Sequence, residues 1–133
     1  MKKDNNRLLA KEWFDKAEED ILYARAGIKE TTFYGLACFH CQQAVEKYLK
    51  GYLAFIGKHI HKIHLIRSLI HQCIKIDKDF DKFRPYCNIL DTYYISPRYP
   101  VIHTIYSKEQ ANEAVNMAEE IMNFIKIETG EIN

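Results

Sequence analysis

The sequence predicts an all-α protein: an antiparallel up-down four-helix bundle with a short extra helix before the last one. Three observations carry this reading. The 133 residues include only 3 Pro and 5 Gly, and so few breakers favour long helices over many short strands and turns. Apolar residues recur every three to four positions through four long segments, the spacing of one helix face. The connections between these segments are short, and helices joined that way pack as antiparallel neighbours. The length suits a single domain over 1–133, with room for one core that needs no disulfide staples.

The first helix is expected from about Asn6 to Ala26, with Leu9, Trp13, Ala17, Ile21, Ala24 and Ile28 inward and Gly27 as its stop. The second is expected from about Thr32 to Ile56, capped by Thr31 or Thr32 and ended by Gly57. Its apolar stripe is wide, from Leu36 and Ala37 through Cys41, Val45, Leu49 and Tyr52 to Phe55, so it should be the central helix. A basic loop, GKHIHKIH, leads to a third helix over about Leu65 to Ile76. Pro85 opens the short extra piece, Arg84 to Tyr94, and Pro97 with Pro100 ends regular structure. Ser107 with Gln110 reads as a capping box for a last helix that runs to about Ile127. Trp13, Phe39, Phe55, Met122 and Phe124 are assigned to core packing.

Hydrophobic residues make up 47% and charged residues 28% of the chain, which excludes a disordered chain and a disulfide-dense miniprotein. No run of about 18 uncharged apolar residues is present, so no membrane partner is expected. The opening MKKDNNRLLAKEW has no apolar run after its basic tip and does not read as a secretory signal. A cytoplasmic location, with Cys38, Cys41, Cys73 and Cys87 reduced, is the expectation. The net charge of +1 says little, but its distribution says more. Six Lys and Arg fall between Lys47 and Lys75 with no Asp or Glu, together with His59, His61, His64 and His71. From Val101 onward two Lys stand against six Glu. One part of the molecule therefore seeks anions, as phosphate and nucleic-acid binders do, or makes a charged contact with the acidic part.

The Cys38-Phe-His-Cys41 spacing falls inside a helix, away from the helix N-terminus where a redox thiolate is stabilised, and no second ligand pair accompanies it. These thiols read as buried and inert. His59-x-His61-x-x-His64 lacks a neighbouring carboxylate; it reads as a loop that helps hold phosphate, with His64 as a cap for the third helix. No metal and no cofactor are expected, since no Gly-rich phosphate loop, nucleophile elbow or zinc-protease motif occurs. In SPRYPVIHTIY, Arg98 and His103 sit five apart around Pro100. RNA cleavage without metal needs an acid and a base near neutrality, which His supplies, and a permanent cation for the charged transition state, which Arg supplies. The alternative is that Arg98 pairs with a carboxylate and His103 sits in a surface loop.

The string EWFDKAEEDILYA, through Trp13, Ala17, Asp20 and Ala24, is similar to the opening helix of HEPN domains, the higher eukaryote and prokaryote nucleotide-binding domains. FHCQQAVEKYLKGYL resembles their second helix, through Gln43, Ala44, Glu46, Lys47 and Lys50. His64 before an apolar helix, then YISPRYP, then an Ala-rich last helix follow in the family's order. The resemblance implies a homodimer, often partnered with a small nucleotidyltransferase in a toxin–antitoxin-like pair, and contact with nucleotide or RNA phosphate through Lys47, Lys50, Lys62 and Arg98. It also implies an alternative, a metal-independent endoribonuclease in which Arg98 and His103 form the family's Arg-x4-His dyad across a dimer cleft. Ribonuclease members usually carry a polar residue after the Arg, where this chain has Tyr99 and Pro100. Toxin members often carry a Tyr two residues after the His that the partner adenylylates; Tyr106, three after His103, is the counterpart here.

Overall fold

The computed structural model describes residues 2–60, 62–94 and 105–130. Among these residues the elements run α1 (Lys2–Glu30), α2 (Tyr34–Ile56), α3 (Ile66–Ile76), a 3-10 helix (Lys78–Phe83), α4 (Arg84–Asp91) and α5 (Lys108–Glu128). The expected all-α bundle is thus present, and α4 is the short extra helix before the last one.

Helix α1 runs past Gly27, because Thr31 N–H bonds to the Gly27 carbonyl at 3.0 Å and keeps the turn closed. Its buried face is Ala10, Phe14, Ala17, Ile21 and Ala24, while Leu9 is exposed, contrary to its expected inward place. Helix α2 starts after Phe33 without a side-chain cap; Thr31 Oγ1 instead accepts from the Phe33 N–H at 3.0 Å. It ends as expected at Gly57, whose left-handed φ of 86° favours glycine, with Lys58 N–H returning to the Leu53 carbonyl. The Ser107–Gln110 capping box of α5 is formed in both directions, at 2.9 and 3.1 Å.

Helix α2 is central. Antiparallel α1 packs along it: Phe14 stacks on Tyr48, and further along Asp20 meets His40 and Lys47. Helix α5 crosses to α1 through the Arg25–Glu119 ion pair and the Lys126–Glu18 pair at 2.9 Å, so it too opposes α1 and runs in the sense of α2. His64, just ahead of α3, lies back at the level of Gln42, far from the end of α2. There Gln42 donates to the His64 carbonyl, and α3 sets off alongside α2 in the same direction. Short connections alone would have made this neighbour antiparallel. Below α3 the 3-10 helix inserts Phe80 and Phe83 among Tyr52 and Phe124, with edge-on ring contacts of 4.7 to 5.3 Å. Met122 is buried, and Trp13, Phe55 and Phe124 lie against the core; Phe39, assigned to the core, is only half-buried and faces His40.

Candidate functional site

Helix α2 carries a run of polar side chains on a face that would otherwise be apolar. Asp20 from α1 is buried and accepts two partners from α2: His40, with Nδ1 2.9 Å from Oδ1, and Lys47, whose ammonium bonds Oδ2. One turn further, Lys50 Nζ donates to Glu46 Oε2 at 2.9 Å, and both side chains are only 6% exposed. The Lys50 ammonium also lies 5.4 Å from the centre of the Trp13 ring, a cation–π contact that helps hold a charge out of water. Gln43 ties the row together by donating to Gln42 Oε1 at 2.8 Å and reaching Glu46 Oε1 at 3.4 Å.

The row ends at a junction of three helices. Gln42 is fully buried and donates to the His64 carbonyl (2.9 Å) and to Asp91 Oδ1 (3.1 Å). Asp91, at the end of α4, also accepts the Ile66 and Arg67 N–H groups at 2.9 Å each. A carboxylate on the first amides of a helix satisfies orphan donors and complements the helix dipole. Asp91 is therefore the cap of α3, the part expected of His64. The His64 ring instead lies 3.6 Å from Glu46 Oε2 and stacks on Tyr94 at 6.0 Å between centres. Tyr106 packs edge-on against Tyr93 at 5.7 Å and fills the space where a Cβ on Gly35 would be.

Of the residues singled out from sequence, Lys47 and Lys50 are brought together on α2, and both are consumed by carboxylates of the fold. That pairing withdraws Lys50 from contact with an outside phosphate. Lys62 is exposed. Tyr106 is half-buried. Arg98, His103 and His61 lie outside the described residues. His40, Gln42 and Asp91 were not singled out. The signal for the last two was a polar residue set in an apolar register: Gln42 beside Cys38, Cys41 and Val45, and Asp91 beside Cys87 and Leu90. All four thiols are buried and free. Burial pushes Cys38 up to about 11, Cys41 and Cys87 up to about 12, and Cys73 further still. A thiol that keeps its proton this firmly makes a poor nucleophile or metal ligand. No group of three or more metal-ligating side chains occurs among the described residues, and no helix there is long and apolar enough to cross a membrane.

Comparison with known proteins places this architecture. Residues 10–128 match the family model of the HEPN domain. The chain is 30% identical over 132 residues to a protein of Methanocaldococcus jannaschii that bears the name "Putative toxin MJ1304", covering 88% of this chain and 86% of that one. Among solved structures, ST0689, described as an archaeal HEPN homologue, superposes with a TM-score of 0.74 at 29% identity, over 90% of this chain and 97% of its own. TT1696 from Thermus thermophilus gives 0.72 at 26%, over 88% and 95%. A HEPN domain protein of Thermotoga maritima shares the fold, with a TM-score of 0.73 at 22% identity over 91% and 99%. The match spans the helices that build the α2 polar row and its three-helix junction, and the chain belongs to the HEPN domain family.

Proposed function

We propose that this HEPN chain is the toxin-class member of a toxin–antitoxin-like pair. In this reading it acts as a homodimeric binding module that engages a small nucleotidyltransferase and the phosphates of RNA or nucleotide. The observation that carries the reading is an apolar strip on the α1–α2 face. Tyr23 is 65% exposed, Phe33 67% and Leu36 51%, and Tyr23 and Phe39 both lie against His40 at 5.6 and 5.8 Å between ring centres. Contiguous large apolar side chains held in water mark a surface that a partner covers. The Asp20–His40–Lys47 cluster beside them supplies the polar rim that such interfaces have. The 30% identity to a protein named as a toxin supports the class. Lys47 and Lys50 shape this face through their ion pairs, and phosphate contact falls to Lys62 and Arg98.

Sedimentation velocity on the purified chain tests the reading. The wild type should run as a dimer, and Tyr23→Arg with Leu36→Arg should run as a monomer. A wild type that stays monomeric at all concentrations overturns it. RNA affinity should fall as salt rises, since phosphate contacts release counterions.

A second reading, the metal-independent endoribonuclease, is favoured by one observation. Of the described ends of the segment that carries Arg98 and His103, Tyr106 lies over Gly35 of α2 and Tyr94 stacks on His64, whose ring faces Glu46 of α2. In this reading His103 transfers protons and Arg98 stabilises the transition state. Cleavage of an unstructured RNA in EDTA should be lost in His103→Ala; equal cleavage by both proteins, or by neither, ends it.

A further inference from the structure

The cationic excess of the middle of the sequence is not used up by the α1–α2 face. On α3, Arg67, His71 and Lys75 stand four residues apart, so they line one side of the helix. The opposite side of α3 is buried through Ile66, Leu69, Ile70 and Cys73, which fixes the basic side outward. Arg84 approaches from the start of α4, and with Ser68, Gln72 and Asn88 these groups line an open groove of roughly 590 Å³. A second hollow, of roughly 400 Å³, shares Gln72 and Lys75 with the first and adds Lys58 and His59. The two lie side by side along α3, and Leu53 and Ile76 add apolar lining to the second. Arg84 is held by Asp81 at 2.6 Å; among the described residues no carboxylate pairs with the side chains of Arg67, His71 or Lys75.

We infer that this α3–α4 track is a binding site for the phosphodiester backbone of a single-stranded nucleic acid. Every side chain lining the main groove is polar or charged, so it lacks the apolar centre that a folded protein partner requires. It is also too open to enclose a small ligand. A flexible polyanion needs neither. Arg67 and Lys75 stand about 12 Å apart along the axis, which presents a permanent positive group at every second step of an extended strand, and the His71 ring between them offers a hydrogen bond. Ser68, Gln72 and Asn88 between them offer hydrogen bonds to sugars and base edges. The inference shares with the reading above the premise that RNA is bound, but it rests on residues other than Lys62 and Arg98.

Fluorescence anisotropy with a short unstructured RNA, its DNA counterpart and polyglutamate tests it. The proteins are wild type, Arg67→Glu with Lys75→Glu, Arg67→Ala with Lys75→Ala, and Lys62→Ala with Arg98→Ala. Lys62, Arg67 and Lys75 are exposed, and circular dichroism checks the fold of each variant. Both groove variants should lose affinity, the charge reversal more, and the alanine pair should make the logarithmic salt slope shallower by about 0.7 for each contact removed. Equal loss for RNA and DNA identifies the shared backbone as the ligand; loss for RNA alone adds the ribose hydroxyl. Groove variants that bind as wild type does, while the Lys62 and Arg98 variant loses affinity, overturn this inference and leave the reading above standing. A wild type that binds neither nucleic acid overturns both. Polyglutamate binding in the groove in place of nucleic acid overturns it in favour of an acidic protein.

Discussion

The Glu46–Lys50 pair lies almost wholly out of water, and its energetics differ from those of a surface ion pair. Removing Lys50 leaves the buried Glu46 carboxylate with only Gln43 and the His64 ring beside it, a loss of up to about 3–5 kcal/mol. Lys50→Ala should therefore lower the stability measured by urea unfolding by about that amount. Glu46→Gln with Lys50→Met should recover most of the loss, because no charge then remains in the interior. The Arg25–Glu119 and Lys126–Glu18 pairs are more exposed and should each matter by less than about 1 kcal/mol. The Glu46 and Lys50 spacing was visible in the sequence, but their fate was not. Spacing shows that two side chains share a helix face; it does not show that Trp13, far earlier in the chain, roofs that face. Likewise Lys47 was legible as a cation, while its partner Asp20 stands 27 residues away and becomes a neighbour only through the α1–α2 packing.

At the scale of elements, local chemistry predicts well where the partner is local. The capping box of α5 closes within three residues, and Ser107→Ala should cost about 1 kcal/mol in unfolding experiments. Gly57 and the wide stripe of α2 were equally legible, since a left-handed cap and an apolar register are properties of the chain itself. Gly27 was misleading for the same physical reason in reverse: glycine permits a stop but does not impose one, and the Thr31 N–H closes on the Gly27 carbonyl to carry the helix past it. Gly35 has a role that no local rule would reveal. A methyl group there meets the Tyr106 ring, so Gly35→Ala should displace Tyr106 from Tyr93 and change the near-ultraviolet circular dichroism, with the far-ultraviolet spectrum retained. The sense of α3 was not legible either, because it depends on the bond between Gln42 and the His64 carbonyl, 22 residues apart in the chain.

The whole molecule has an alkaline liability. Its buried thiols titrate near 9.0 when exposed, whereas in the fold burial raises Cys38 to about 11 and Cys41 and Cys87 to about 12; Tyr52 rises from 10.0 to about 12 for the same reason. The unfolded chain therefore gives up these protons first. The stability they confer is complete below about pH 9 and declines as pH climbs through 11 and 12. Urea midpoints should fall steadily above pH 9, and Cys41→Ala with Cys87→Ala should flatten that fall even though it lowers the starting value. At this scale the all-α class, the family and the cationic middle of the chain were legible, since each is a sum over many residues. The α3–α4 track was legible only in half: Arg67, His71 and Lys75 share a helix register, but Arg84 joins them through the packing of a different element.

The cap on α3 also sets an order of events during synthesis. The acceptor for the Ile66 and Arg67 amides is Asp91, which leaves the ribosome some two dozen residues after the donors it serves. Until position 91 emerges, the start of α3 has no carboxylate to close it and Gln42 has no carboxylate to hold. Nascent chains halted before Asp91 should thus show rapid amide exchange across the first turn of α3, and chains extended just past it should show that turn protected.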